Sequence, residues 1–128
     1  MLEAGLEATI EETVTEAMTA EALGSGDVPV LGTPTVLALA EKAACAAIAG
    51  ELEEGHTSVG SWVELNHLAP TPVGARVTAN TRLTGVEGRK LEFEFSVRDD
   101  RAEIARGTHR RVTVSRDDFL RGLADRSP

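Results

Sequence analysis

The sequence predicts an α+β fold in which one antiparallel five-stranded sheet wraps around a single central helix. Three features of the chain lead to this expectation. Five segments alternate apolar and polar residues, which is the pattern of a half-buried strand. The later segments are joined by turns of only a few residues, as in antiparallel hairpins. One long alanine-rich segment between the first two strands is apolar enough to cover the sheet.

The alternation is clearest over residues 90–98, where every second side chain is apolar and the residues between them are polar or charged. Similar alternation places the five strands at residues 6–14, 57–66, 75–84, 90–98 and 102–114. In the fifth strand the apolar phase is lost between Ile104 and Val112, which predicts an irregularity near Gly107.

The predicted central helix covers about residues 34–50. Thr33 suits the N-cap, Pro34 suits the first helical position, and Gly50 suits the end of the helix. The segment between them is mostly Ala, Leu and Val, so we expect the helix to be buried. A shorter C-terminal helix is expected to follow, with Ser115 as N-cap and Asp118 three residues later, as in a capping box.

The composition restricts the possible functions. The chain has 128 residues, of which 41% are hydrophobic and 27% charged, so one globular domain over residues 1–128 is expected. A net charge of −8 argues against a nucleic-acid partner, because binding phosphates requires Lys and Arg. No long apolar run is present, so no membrane partner is expected.

The cytoplasm is the expected compartment. The N-terminal segment Met1-Leu2-Glu3-Ala4 is acidic and lacks the basic and apolar regions of a signal peptide. Cys45 is the only cysteine, which excludes an internal disulfide and fits a reducing compartment. We expect Cys45 to be an inert packing residue of the central helix.

Two features of the predicted sheet concern partners. One sheet around one helix leaves a long unpaired edge, and such edges invite pairing, so a homodimer is expected. Six of the thirteen basic residues lie between Arg98 and Arg116. This cluster is either a local positive patch for a small anionic ligand or the solvated face of a strand.

Glu41 is the most informative candidate for chemistry. It shares a helical row with Leu37, Cys45 and Ile48, and it is the only charged residue in that row. A carboxylate on a buried helix is costly unless it is paired or lies at a cleft. Glu41 is therefore either a functional residue or, together with neighbouring Lys42, the exposed end of the helix face.

Three further residues are candidates, each with a structural alternative. The Thr33 hydroxyl either caps the helix or joins the first-turn amides in a site for developing negative charge. His67 ends the second strand, where it is either a surface residue or a general acid and base. Gly60 lies within a strand, where glycine permits close approach of a ligand. Because His56, His67 and His109 lack metal-ligand spacing, no metal is expected.

Taken in order, these residues resemble the fluoroacetyl-CoA thioesterase-like family of hot-dog proteins over roughly residues 5–115. The spacings of eight residues from Thr33 to Glu41 and twenty-six from Glu41 to His67 are similar to those of the family's catalytic triad. The resemblance is carried by Gly32-Thr33-Pro34, Glu41, Thr57-Ser58-Val59-Gly60, His67-Leu68-Ala69-Pro70-Thr71-Pro72-Val73-Gly74, Val86-Glu87-Gly88-Arg89 and Gly107-Thr108-His109-Arg110-Arg111.

The resemblance implies a hot-dog fold and an acyl-CoA thioesterase that hydrolyses a short-chain acyl-CoA to the free acid and CoA. It implies catalytic roles for Thr33, Glu41 and His67, in which Glu41 attacks the thioester or activates water and His67 acts as general acid and base. Substrate-binding roles are implied for the Gly60 amide and for Arg111. The resemblance also implies a homodimer with sites at the subunit interface, and no cofactor beyond the CoA of the substrate.

One departure from the family concerns the acyl group. The fluoroacetyl-specific member has phenylalanines before the triad threonine, whereas residues 24–31 of this chain contain no aromatic residue. Fluoroacetyl selectivity is therefore not expected. Two alternative functions are a non-catalytic acyl-CoA-binding hot-dog module and a hot-dog hydratase or dehydratase. Such hydratases resemble a pattern with an Asp or a differently placed His on the central helix, where this chain carries only Glu41.

Overall fold

A computed structural model describes residues 1–128 and confirms the α+β fold. Both predicted helices and all five predicted strands are present, and the Ser115 hydroxyl caps the C-terminal helix by accepting a hydrogen bond from the Asp118 amide. The strands are β1 (Glu7–Thr13), β2 (His56–His67), β3 (Arg76–Glu87), β4 (Lys90–Arg98) and β5 (Glu103–Ser115). The helices are α1 (Ala20–Leu23), α2 (Thr33–Ile48) and α3 (Arg116–Asp125), with a 3₁₀ turn at Glu16–Met18.

The five strands form one antiparallel sheet in the order β1-β3-β4-β5-β2. The predicted hairpins are confirmed, since residues 88–89 join β3 to β4 and residues 99–102 join β4 to β5. Gly88 has a φ of 60°, a left-handed conformation that favours glycine in so short a turn. The order of the strands leaves β1 and β2 at the two edges of the sheet.

Strand β2 leaves half of its backbone groups free at the open edge. The Leu68 amide donates to the Ile104 carbonyl at 2.7 Å, which fixes one hydrogen-bonded pair between the end of β2 and β5. Hydrogen-bonded and non-hydrogen-bonded pairs alternate along an antiparallel ladder. Val63 and His67 therefore direct their backbone N–H and C=O groups away from β5. The middle of β2 is an unpaired, hydrogen-bonding edge.

The hydrophobic core lies between one side of α2 and the inner face of the sheet. Each fully buried Val, Leu, Ile or Phe in it contributes about 1.5–3 kcal/mol relative to an exposed position. Strand β2 contributes no fully buried residue, so the space between α2 and β2 lies outside the core. The buried residues of α2 are Val36, Leu39, Ala40, Ala43, Ala44, Ala47 and Ile48.

Three expectations about α2 can be compared with the structure. The N-cap is Gly32, in extended conformation, so Thr33 is the first helical residue and was wrongly predicted as the cap. Cys45 is exposed rather than packed, because α2 is buried on one side only. Gly50, with a φ of 80°, follows the helix end as predicted. No helix in the structure is both long and apolar enough to cross a membrane.

The irregularity predicted near Gly107 does not lie at Gly107 itself, where strand β5 pairs in register with both neighbours. The pairing of β5 with β4 shifts instead at Ile104, and its pairing with β2 shifts just after Gly60. A Cβ atom at Gly107 would collide with the carbonyl oxygen of Glu64, so glycine allows β2 to approach. The apolar phase is lost because the next two inward positions of β5 hold His109 and Arg111, both buried.

Candidate active site

The predicted site residues lie where α2 faces β2, a partly exposed region hereafter called the cleft. Helix α2 carries Thr33 and Glu41, and strand β2 carries Gly60 and His67. Gly60 lies opposite Arg111 of β5, whose buried side chain points toward α2. Each predicted site residue therefore faces the one part of the helix–sheet interface that the core does not fill.

At the first turn of α2, Thr33 contacts His67. The Thr33 Oγ1 atom lies 2.8 Å from His67 Nδ1. Because Gly32 occupies the N-cap position, the Thr33 hydroxyl does not serve as a cap and is available for this contact. The other ring nitrogen, His67 Nε2, is buried and has no hydrogen-bond partner. Leaving a buried polar atom unpaired costs about 1–3 kcal/mol. Such atoms are rare in native structures, and a functional role is a common reason for retaining one.

Burial lowers the pKa of His67 below its ordinary value of 6.5, and the backbone of Ala69 acts in the opposite direction. The ring is therefore neutral at pH 7. A neutral imidazole with an unpaired nitrogen is able to accept a proton from a reacting group.

Further along α2, Glu41 is held by a buried arginine. Arg111 Nη1 donates to Glu41 Oε2 at 3.1 Å, and the arginine side chain is only 7% exposed compared with 40% for the glutamate. The remaining guanidinium nitrogens are anchored on Ser58, with Nε donating to its hydroxyl at 2.8 Å and Nη2 to its carbonyl at 3.1 Å. The carboxylate oxygen Oε2 is thus fixed, whereas the other oxygen, Oε1, makes no hydrogen bond within the chain.

Gly60 makes room for this carboxylate. A Cβ atom at position 60 would lie 2.5 Å from Glu41 Oε2, which is closer than real Cβ contacts allow. The Gly60 amide is also free of β5, because the Arg116 amide bonds the Gly55 carbonyl at 2.9 Å and bonded pairs alternate from there. Gly60 therefore offers both space and an unused N–H beside Glu41.

Within one chain the candidates form two groups. Thr33 and His67 make one group, and Glu41, Gly60 and Arg111 make the other. Eight helical residues separate Thr33 from Glu41, which corresponds to about 12 Å along the helix axis. No hydrogen bond joins the two groups. Thr33, Glu41 and His67 were expected to form one catalytic set, and a single chain does not bring the three side chains together.

His109 belongs to the Glu41 group and was not predicted as a site residue. It is 2% exposed, stacks against Phe93 with ring centroids 6.0 Å apart, and lies 3.1 Å from Arg111 Nη1. The signal in the sequence was the loss of apolar alternation in β5, which we interpreted as a backbone irregularity. A polar pair at successive inward positions of a strand was the correct interpretation.

The arginines between Arg98 and Arg116 do not form one positive patch. Arg106 and Arg110 are exposed and pair with neighbouring carboxylates at 3.7 and 2.9 Å. Arg111 is buried and binds Glu41. The exposed members fit the solvated strand face that was one of the two interpretations, and the buried member belongs to the site.

A large cavity of the chain lies elsewhere. It has a volume of about 980 Å³ and is bounded by the end of α2, the β3–β4 turn and the start of α3. His56 and Arg89 line it, but none of the predicted site residues does. Two carboxylates of this groove, those of Glu51 and Asp118, pair with the N-terminal amine and with Arg121, and neither is hydrogen-bonded to His56. The chemistry is therefore better supported by the cleft between α2 and β2.

Comparison with known proteins finds related thioesterases. The family described as fluoroacetyl-CoA-specific thioesterase matches residues 14–117. The fluoroacetyl-CoA thioesterase of Streptantibioticus cattleyicolor is 35% identical over 99 residues, which span 77% of this chain and 71% of that protein.

Two solved structures extend the comparison. A threonine-to-serine mutant of a fluoroacetyl-CoA enzyme, in complex with acetyl-CoA, has a TM-score of 0.92 at 30% identity and covers 99% of this chain and 100% of that one. A hot-dog-like protein from Thermanaerovibrio acidaminovorans, at 24% identity, has a TM-score of 0.90 over 99% of this chain and 94% of its own, which supports the fold. The chain therefore belongs to the fluoroacetyl-CoA-specific thioesterase family, has the hot-dog fold, and is an acyl-CoA thioester hydrolase.

Proposed function

We propose that this acyl-CoA thioesterase hydrolyses short acyl groups without fluoroacetyl selectivity, and that Thr33, Glu41 and His67 are its catalytic residues. The observation that carries the proposal is the pairing in the cleft. Thr33 lies 2.8 Å from a neutral His67, and Glu41 is fixed 3.1 Å from a buried guanidinium. Thioester hydrolysis requires a base and a nucleophile, and the cleft provides an imidazole and a carboxylate. Each of them is held by one partner and keeps one atom free, namely Nε2 of His67 and Oε1 of Glu41.

In the proposed reaction, Glu41 Oε1 attacks the carbonyl carbon of the thioester. The carbonyl electrons move to oxygen, and their return breaks the C–S bond and releases the CoA thiolate from an acyl-Glu41 anhydride. His67 Nε2 then takes a proton from water, whose oxygen attacks the acyl carbon and frees the acid and Glu41. The proton on His67 passes to the thiolate, which restores the enzyme and completes the balance.

The oxyanion in this scheme is stabilised by two donors. If Nδ1–H of His67 donates to Thr33 Oγ1, the threonine hydroxyl proton is free to point at the oxyanion, and Nε2 keeps the lone pair that a base needs. The unused Gly60 amide is the second donor. Removing one such donor in other enzymes lowers kcat by about 10²–10³-fold.

A homodimer would bring the two groups together. Val63 lies at the middle of the free edge of β2, with Gly60 three residues before it and His67 four residues after it. If two β2 strands pair antiparallel about this point, the Gly60 end of each lies beside the His67 end of the other. Each site would then combine Glu41 of one subunit with Thr33 and His67 of the second, which accounts for their separation within one chain.

Mixing two inactive variants tests this composite site. In a dimer of one Glu41→Gln subunit and one His67→Ala subunit, one site receives both mutations and the other receives neither. Random reassortment makes half of the dimers mixed, so we expect the mixture to regain about a quarter of the wild-type rate. The measurement is thiol release from acetyl-CoA after coexpression of the two variants.

The controls are each variant mixed with itself, which should regain nothing. If the catalytic groups act within a single chain, the mixture stays as inactive as the two variants alone. That outcome would reject the shared site while leaving the catalytic residues themselves untouched, and sedimentation analysis would separately report whether a dimer forms.

The proposed acyl preference is tested by comparing substrates. Residues 24–31 of this chain hold no aromatic side chain, and a relative was solved with acetyl-CoA. We expect kcat/KM for acetyl-CoA and fluoroacetyl-CoA to agree within about tenfold, equivalent to about 1.4 kcal/mol of transition-state binding. Thiol release across acetyl-, fluoroacetyl-, butyryl- and octanoyl-CoA makes the comparison. A preference for fluoroacetyl-CoA above about tenfold, or for octanoyl-CoA, would refute the proposal.

We also propose that the enzyme works in the cytoplasm. Its single cysteine, Cys45, is exposed and has no second cysteine with which to form an internal disulfide. An exposed free thiol is suited to a reducing compartment. Fractionation of the producing cells, with the protein followed by antibody, tests the location, and recovery in the secreted fraction would contradict it.

A further inference from the structure

His109 is a buried titratable group that the proposed reaction does not use. Its Nδ1 atom lies 3.0 Å from the backbone carbonyl oxygen of Trp62, and its Nε2 atom lies 3.1 Å from Arg111 Nη1. Stacking on Phe93, with an interplanar angle of 27°, fixes the plane of the ring. Each ring nitrogen thus has a partner that can act only as an acceptor or only as a donor of a hydrogen bond.

These partners determine where the ring carries its proton. A carbonyl oxygen only accepts hydrogen bonds, so Nδ1 must carry the hydrogen that reaches Trp62. A guanidinium only donates, so Nε2 must be unprotonated and accept from Arg111. The ring is therefore neutral, with its single proton on Nδ1. The 3.9 Å separation between Nε2 and Glu41 Oε2 is accordingly not an ion pair.

The arrangement leaves the guanidinium of Arg111 no freedom. Its Nη1 atom has two hydrogens, of which one reaches Glu41 Oε2 and the other reaches His109 Nε2. Its Nε and Nη2 atoms are anchored on Ser58. Without the acceptor on His109, one hydrogen of a buried cation would lack a partner, and the contact with Glu41 would be the only hydrogen bond left at Nη1.

We propose that His109 is a positioning residue that acts through Arg111, fixing the guanidinium so that it holds Glu41 against Gly60 in a reactive orientation. The inference rests on the proposed role of Glu41. It assigns the histidine of the Gly107-Thr108-His109-Arg110-Arg111 segment a task distinct from that of His67, since His109 neither reaches substrate nor exchanges its proton.

The charged surroundings of His109 favour the neutral ring. Burial lowers the pKa of His109 most strongly, and the Arg111 charge lowers it further, whereas the Trp62 carbonyl and Glu41 act in the raising direction. The net pKa lies below 6.5. At pH 7 the ring therefore retains the Nε2 lone pair on which the contact with Arg111 depends.

The protonation state is measured directly by ¹⁵N NMR of the His109 ring in the intact wild-type protein without substrate. We expect the proton on Nδ1 and a bare Nε2 at pH 7. A proton on Nε2, or a doubly protonated ring, would overturn the inference. This readout needs no turnover, so it remains decisive even if the protein fails to hydrolyse every acyl-CoA tested and the proposed function is itself rejected.

Two substitutions test the positioning role by activity. In His109→Phe the stacking on Phe93 is kept but the acceptor is lost, so we expect kcat to fall at least about tenfold with KM changed less than about twofold. In His109→Gln the amide oxygen and nitrogen are spaced like the two ring nitrogens, so both contacts can reform. We expect this variant to recover most of the activity lost in His109→Phe.

Circular dichroism and sedimentation establish that both variants fold and assemble as the wild type does. A folded His109→Phe protein with wild-type kcat contradicts the proposal, as does a His109→Gln protein no more active than the Phe variant. If His109→Phe does not fold, the ring ¹⁵N shifts and the kcat of His109→Gln decide the question, with a tenfold or greater loss in the Gln variant counting against it.

Discussion

We expect the replacement of Glu41 with Gln to lower kcat by at least about 10²-fold and to leave the fold intact. The amide oxygen of Gln can still accept from Arg111 Nη1, so the buried guanidinium keeps a partner where the carboxylate stood. An amide lacks the charge that attack on a thioester requires, so the loss falls on kcat rather than KM. Stopped-flow thiol release from acetyl-CoA, with a thermal melt of the same sample, measures both effects.

Glu92→Gln is the matched control for this change. Glu92 is also a glutamate paired with an arginine, since Arg110 Nε donates to it at 2.9 Å, but this pair lies on the exposed face of the sheet. Pairs of that kind contribute little, about 0–1 kcal/mol, so this variant should keep wild-type kcat. Equal rates for the wild type and the Glu41 variant would remove Glu41 from the mechanism.

We expect His67→Ala also to lower kcat by at least about 10²-fold, because no other buried side-chain nitrogen without a hydrogen-bond partner lies in the cleft. The wild-type rate should depend on pH in a defined direction. In the proposed mechanism deprotonated His67 is the active form, and burial lowers its pKa, so we expect activity to be retained at pH 6.5 and lost as the pH falls through the lowered value. Thiol release measured from pH 8 downward tests both statements.

His56→Ala serves as the control for His67→Ala. His56 is exposed at the opposite end of β2 and does not line the cleft. Its removal should therefore change neither kcat nor the acid limb, which is the part of the pH profile where activity falls at low pH. An acid limb centred above pH 6.5, or one that persists unchanged in a His67→Ala protein with substantial activity, would show that another group supplies the base.

The sequence predicted the elements of the fold well because they are encoded locally. Alternation over residues 90–98 located β4 without error, and the alanine-rich run located α2. The helix start was misplaced by one residue because Gly32 and Thr33 are both acceptable N-caps, and only the tertiary contact between Thr33 and His67 decides between them. The four-residue α1 is too short to show any helical period.

The site was predictable only in part. Glu41 was conspicuous as a charge on an apolar helix, and the spacing to His67 came from the family resemblance. The role of His109 could not be predicted, because it depends on which strand residues lie opposite Gly60 and on the direction of two hydrogen bonds. The separation of Thr33 from Glu41 follows from helix geometry, but its proposed explanation is a subunit arrangement that one chain does not encode locally.

Trp62 gives the protein a built-in optical probe. The chain has one tryptophan and no tyrosine, so its near-ultraviolet fluorescence comes almost entirely from this indole. The ring lies on strand β2, beneath the Arg110 guanidinium at 4.2 Å from its centroid. Any event that covers or uncovers this strand changes the polarity around the emitter, so association and dissociation of subunits can be followed by emission wavelength on the unlabelled wild-type protein.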